Sequence, residues 1–441
     1  MQAASKGLML VTFLLGIFMG ALDHGIVGPA LSSIFQAFDV DSSWGGWSMT
    51  IYTLTFAVSI PVLGKLSDRF GRKRTFMFGI SMFALGSIVC AFAPNFAVFL
   101  AGRAIQGIGT GGIFPITAAQ IAVSYPPEQR GAKLGLIGVV FGTGSILGPI
   151  VGGAIIKYLE WEWIFLVNIP ISIVILILIS RIKLEQQVQV KPIDYKGISL
   201  LAVVILAIMY GITSGQWLIA VIGLAAIPLL VMVEKRQADP IVNLSYFQRR
   251  PTLLLLIVTF LSGAIMTTSF FIPVFSEKVL QMAKGDSGFT VAPFAVASAL
   301  ASYFGGVLAD KLGARRIMAI GFVIAAAGAI ALGMIGEEPA VFYAATTVMG
   351  FGVGIIIGAP INVLMLQAVE LKDAGSAIGY LSLLRSMGSS LGPVIAGKLL
   401  ATYSDGFPYV FGFSSVLAFI SLILLFMSIP AAKAVAASKT A

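Results

Sequence analysis

The chain has 441 residues, 58% of them hydrophobic and 11% charged, with a mean hydropathy of +0.99 and a formal net charge of +9. Such a composition excludes a soluble enzyme or binding domain and describes a polytopic membrane protein. One cysteine, Cys90, rules out an intramolecular disulfide, and one histidine, His24, leaves no metal-ligand cluster, so no metal site is expected.

Apolar runs bounded by charged or turn-rich breaks predict fourteen spans: 8–36, 46–63, 76–93, 97–122, 134–157, 163–181, 197–213, 217–233, 253–276, 288–309, 317–336, 341–367, 377–401 and 409–429. The first run lacks a convincing cleavage site and reads as a retained span rather than a signal peptide. With the N-terminus inside, 22 of the 28 basic residues fall on inner loops and tails, four on the outer side and two, Arg103 and Arg385, within spans. That bias supports the orientation and an even span count, with both termini cytoplasmic. It also makes topology, not a nucleic-acid partner, the reason for the positive charge.

The first span carries ALDHGIVGPA, residues 21–30. Asp23 lies near its middle, and most other carboxylates sit at span ends or in loops. A lone deep acid tends towards its neutral form through desolvation and towards its charged form beside an arginine. Gly16, Gly20, His24 and Gly28 recur every four residues. That row either seats a neighbouring helix, with His24 a neutral member of the seam, or places His24 in a proton relay or substrate contact.

GKLSDRFGRKR at 64–74 recurs as GVLADKLGARR at 306–316, QGIG at 106–109 as MGFG at 349–352, and LGP at 147–149 as LGP at 391–393. Offsets of 242 to 244 in unbroken order imply two homologous halves, a common plan for secondary transporters. The expected organisation is a six-helix bundle over 1–181, a linker with two extra spans over 182–252, and a second six-helix bundle over 253–441.

The 64–74 segment resembles the signature loop of the major facilitator superfamily, in which it latches the halves and controls the switch between facing states. Gly64, Asp68, Arg69, Gly71 and Arg72 match; the second copy keeps Asp310 and Arg315, with Lys311 in place of arginine. FLAGRAIQGIG resembles the family's Arg-x-x-Gln-Gly motif, linked to proton coupling, through Arg103, Gln106 and Gly107; the repeat copy has Thr346 at the arginine position. The alternative for Arg103 is a side chain snorkelling to the outer interface. Gly144, Gly148, Pro149, Gly152 and Gly153 in span 5 resemble the superfamily's antiporter motif, and the four-residue glycine spacing permits close helix packing.

WEWIFLVNIPIS at 161–172 and LDHGIVGPALSSI at 22–34 resemble signatures of the fourteen-span drug:proton antiporters, with Glu162, Gly25 and Ser32 as departures. The resemblance implies an all-α major facilitator fold that exports small lipophilic or amphipathic compounds by alternating access. Asp23 is then the proton carrier, Arg103 its tuner, the proton gradient the energy source with no cofactor, the plasma (inner) membrane the location and a monomer the expected state. Trp47, Tyr52, Gln106, Asn168, Phe270, Phe271, Asn362, Tyr380 and Arg385 are candidate cavity residues. Arg385 either meets an anionic or zwitterionic ligand group or pairs with backbone carbonyls. Rivals are an exporter or flippase of one endogenous amphiphile, and a non-transporting membrane sensor. The chain lacks the phosphate-binding motif of an ATP-driven pump.

Overall fold

A computed structural model describes residues 2–40, 47–184, 194–237, 240, 242–282, 288–403 and 405–428. Among them there is no β-strand, and thirteen helices are long and apolar enough to cross a membrane. In chain order they are α1 Lys6–Ala30, α2 Trp47–Phe70, α3 Arg72–Ala91, α4 Phe96–Ser124, α5 Pro127–Tyr158, α6 Trp163–Arg181, α7 Tyr195–Ile212, α8 Trp217–Glu234, α9 Arg250–Lys278, α10 Phe289–Leu312, α11 Ala314–Ile335, α12 Pro339–Ala368 and, after one more helix, α14 Phe407–Met427. That intervening helix is α13, Ala374–Thr402, 29 residues long and diluted by Gly and Ser. Its apolarity falls below that of the other spans because it packs on α2, α7 and α9 and has little need to face lipid. The expected basic residues Lys191, Lys284, Lys433 and Lys439 lie outside the described residues.

The spans are not all continuous rods. The first turns through a 3-10 segment at Gly28–Ala30 before a short helix Leu31–Ala37, and α9 does the same at Thr268–Phe271. α4 breaks at Gly112 and α12 at Gly358. Most of these breaks have a proline within the next few residues, which removes a backbone donor and collides with the preceding turn. The paired positions show that the repeat extends to helix distortions. Pro149, by contrast, is absorbed in an unbroken α5.

Small residues decide which helices meet. Along α5, Gly131, Gly135, Gly138 and Gly142 face Gly306, Ser302 and Ala299 of α10, the main contact between the halves. Gly144, Gly148 and Gly152 turn to α1 in the same half, where a Cβ at Gly148 would stand 2.8 Å from Gly25 Cα. The second inter-half contact sets Gly64 of α2 against Gly375 of α13. α7 lies along this α2–α13 seam, and α8 packs on α7 through Gly211 and Gly223.

A tolerance difference follows within one motif. Gly148→Val should lower stability by about 1–3 kcal/mol by forcing α5 off α1. Gly153→Ala, at a position with no atom within 4 Å, should change it by less than about 0.5 kcal/mol. Thermal unfolding of the two purified variants in detergent checks the difference; equal loss at both sites contradicts the packing.

Candidate functional site

α1, α3, α4 and α6 deliver one buried polar cluster. Arg103 Nη1 donates to Asp23 Oδ2 at 3.2 Å and to Gln106 Oε1 at 2.6 Å. Asn168 Nδ2 and Gln106 Nε2 donate to Asp23 Oδ1 at 2.9 and 3.3 Å. Arg103 Nε reaches the Ser48 carbonyl at 3.3 Å, and the guanidinium lies 4.4 Å from the Tyr52 ring centre and 5.8 Å from that of Phe165. Ser87 Oγ accepts from Gln106 Nε2 at 2.7 Å. Asp23, Arg103, Gln106, Ser87 and Asn168 are all fully buried.

Arg103 is therefore not snorkelling. It is neutralised within the core by Asp23, as burial of both charges demands. Two hydrogen-bond positions stay empty, Arg103 Nη2 and Asn168 Oδ1. The carboxylate thus sits in a complete shell of donors whose strongest member is a cation. That cation comes from α4, so the Arg103–Asp23 contact ties α4 to α1.

The same frame exists in the second half without the chemistry. Gly144 of α5 approaches the Phe18 carbonyl of α1, and Gly388 of α13 approaches the Phe260 carbonyl of α9, which sets the register of the repeat. At the repeat positions of Asp23, Ser87, Arg103 and Gln106 stand Ile265, Ala329, Thr346 and Met349. The fold is built there without an ion pair, so packing alone does not account for the cluster in the first half.

His24 departs from the seam picture. It is exposed, and a Cβ at Gly28, four residues on, would meet nothing within 4 Å. The seam with α5 runs instead through Gly25, against Gly148 and Pro149. Gly16 alone of the expected row is tightly covered, by Phe76 and Ile113. Successive residues of α1 thus part company, Asp23 sealed in the core and His24 left accessible.

The signature loops show how one face of the molecule closes. Gly71 and Gly313 both adopt positive φ, 95° and 92°, to start α3 and α11 immediately after α2 and α10 end. Asp68 accepts from the backbone N–H of Gly375 and Ser376 at 3.1 and 2.9 Å and from the Ser376 hydroxyl at 2.9 Å. Asp310 accepts from the N–H of Gly131 and Ala132 at 2.7 and 2.8 Å. Asp68 caps the first turn of α13 in the opposite half, where unpaired N–H groups and the helix dipole favour negative charge, while Asp310 meets the second turn of α5. Arg72 pairs with Asp68 at 3.4 Å, while Ala314 occupies its repeat position beside Asp310.

Arg315 does not serve Asp310. Its Nη2 donates to the Phe426 carbonyl at 2.5 Å, and its repeat mate Lys73 donates to the Ser180 and Ile182 carbonyls at 2.9 and 2.7 Å. Both cations cap the C-terminal end of the last helix of their own half. Arg69 stacks over Phe70 at 5.0 Å.

The candidate cavity residues disperse. Tyr52, Gln106 and Asn168 join the Asp23 cluster. Trp47 stacks on Tyr210 of α7 with ring centres 5.6 Å apart, and Tyr380 receives the Asn243 N–H at 3.2 Å beside Tyr246 and Phe247. Asn362 is buried and bonds back to the Gly358 carbonyl at 3.1 Å. Phe270 is exposed and Phe271 half-buried, both in the 3-10 break of α9. Arg385 extends towards Phe114 of α4, its guanidinium 6.0 Å from the ring centre. Sequence reasoning passed over Ser87, Ser48 and Phe165; for Ser87, the signal was a hydroxyl in an apolar stretch of α3.

The model of the Major Facilitator Superfamily matches residues 13–298 and again 278–441. The chain belongs to the major facilitator superfamily. It is 36% identical to the MFS-type transporter YfiU of Bacillus subtilis (strain 168), over 89% of this chain and 80% of that one. It is 32% identical to Multidrug resistance protein 3 of the same organism, over 90% and 80%. The solved structure of the human organic anion transporter TETRAN shares the fold at a TM-score of 0.73 and 18% identity, over 95% of this chain and 99% of that one. The protein is thus an integral membrane transporter of small molecules, not an enzyme.

Weakening one latch should open the closed face. Asp310→Asn, which removes the charge that faces the N-terminus of α5, should lengthen the distance between spin labels at Lys133 and Lys311 in part of the population. Double electron–electron resonance reads this directly, and a distribution identical to wild type defeats the latch assignment.

Proposed function

We propose that this transporter exports small lipophilic or amphipathic compounds, drugs among them, in exchange for protons and by alternating access. The observation that carries the reading is the fully buried Asp23–Arg103 pair, present in one half and replaced by Ile265 and Thr346 in the other. Burying a carboxylate and a guanidinium in a membrane bundle is costly, and such residues mark ion and substrate pathways. Asp23 carries the proton and Arg103 tunes it; His24, the next residue of α1 and exposed, takes part in the relay by a separate face.

The chain falls, in this reading, among the fourteen-span drug:proton antiporters, with residues 1–181 and 253–441 as the two halves and 182–252 as the inserted pair. It lies in the plasma (inner) membrane as a monomer with both termini cytoplasmic, and the proton gradient takes the place of a cofactor. Support comes from the glycine-lined α1–α5 contact at the antiporter motif and from the similarity to Multidrug resistance protein 3. The capped face is the cytoplasmic one, because it carries the basic loops.

Proteoliposomes with an imposed pH gradient test the assignment against a panel of dyes, drugs and lipids. Wild type should move at least one compound in a gradient-dependent way. Asp23→Asn should abolish that dependence while keeping gradient-free exchange of the same compound. Full gradient-driven transport by Asp23→Asn removes Asp23 as carrier, and no gradient-dependent movement of any compound by wild type favours the sensor.

A further inference from the structure

We infer that Arg385 is the counterion for an anionic group on the transported compound, so that the site selects amphiphiles bearing a carboxylate, sulfonate or phosphate. This rests on the transport reading above and narrows its substrate class.

Arg385 lies in the middle of α13, half-buried, and its Nε is shielded from solvent without a hydrogen-bond partner. Among the described residues it has neither an ion pair nor a bond to a backbone carbonyl; its one recorded neighbour of note is the Phe114 ring. Three residues earlier, on the same face, the Ser382 hydroxyl is also buried and unpartnered. An arginine inside a membrane bundle ordinarily finds a carboxylate or carbonyls, since leaving it bare is costly.

The three acids placed above are engaged elsewhere. Asp23 is held by Arg103, Gln106 and Asn168; Asp68 and Asp310 are spent on the N-terminal turns of α13 and α5. The fold does not require it either. The LGP offset of 244 places Phe141 at the equivalent point of α5, so the first half is built with an apolar residue there.

Its place suits a ligand. Phe114 follows Arg103 by eleven residues on α4, about 16 Å of helical rise towards the capped face. Arg385 thus reaches across from the second half to α4, well away from the Asp23 cluster. A planar guanidinium with free donors beside an aromatic ring matches an oxyanion attached to an apolar body. Separate sites for proton and substrate charge also let an anion bind without displacing Arg103 from Asp23.

The test uses two probes with one aromatic skeleton: 8-anilinonaphthalene-1-sulfonate, which carries an anionic group, and N-phenyl-1-naphthylamine, which lacks it. Equilibrium binding is measured on the full chain in phosphatidylcholine nanodiscs without a gradient, for wild type, Arg385→Gln and Arg385→Lys. Wild type should bind the sulfonate. Arg385→Gln should weaken sulfonate binding by about tenfold or more while leaving the neutral probe unchanged, as expected for loss of one charge-assisted contact. Arg385→Lys should retain part of the binding.

Retained binding of the neutral probe certifies that Arg385→Gln is folded, and its melting temperature should not fall, whereas loss of a structural arginine would lower it. The sulfonate should raise the melting temperature of wild type and not of Arg385→Gln. Adding phosphatidylglycerol separates two sources of the anion: competition with the sulfonate identifies a lipid headgroup, and no competition a free amphiphile. Absence of sulfonate binding in wild type, or an unchanged sulfonate preference in Arg385→Gln, overturns the inference. Because no gradient is used, either result leaves proton coupling through Asp23 to stand or fall on its own experiment.

Discussion

The two halves are held together where their backbones can nearly touch. Gly131 against Gly306 and Gly64 against Gly375 bring main chains into contact across the seam, and each contact ends on a carboxylate seated at a helix N-terminus. In a bilayer the hydrophobic effect does not drive helices together, so close packing and charge–dipole contacts must supply the attraction. Both contacts lie at the signature-loop face. That placement closes this face and leaves His24 exposed on α1.

The same economy of polar groups explains the asymmetry between halves. Without water, every buried donor and charge must be answered within the protein. The first half answers Arg103 with Asp23, Gln106 and the Ser48 carbonyl; the second avoids the question with Ile265, Thr346 and Met349. Lys73 and Arg315, by contrast, do the same capping in both halves. Symmetric polar contacts thus belong to the scaffold, and unsymmetric ones mark the machinery. Arg385 is the unsymmetric cation of the second half, and among the described residues it is left unanswered.

Much of this was legible in the chain. Membrane-crossing helices and a repeated plan follow from apolar run length and repeated motifs, because a bilayer imposes both length and hydrophobicity on a span. The predicted span 377–401 is the helix α13, although its glycines and serines serve helix contacts and lower its apolarity. The breaks at Gly28–Ala30, Thr268–Phe271, Gly112 and Gly358 were less legible. Proline and glycine mark candidates, but Pro149 shows that neighbouring packing decides whether a helix yields.

By itself the sequence determined that this is a membrane-spanning member of a duplicated helical family with one deep acid, because composition, run length and repeats are local properties of the chain. Only the tertiary structure decided which groups meet. It joined Asp23 to Arg103, 80 residues apart, added Asn168 at 145 residues, and left His24 accessible. It removed Trp47 and Tyr380 from the candidate cavity to the neighbourhood of α7 and the linker. Helical periodicity places a residue on a face, but what that face meets is set by the packing of six or more other helices. For Asp23 and His24, adjacent in the chain, a rotation of about 100° per residue separates a sealed ion pair from an accessible side chain.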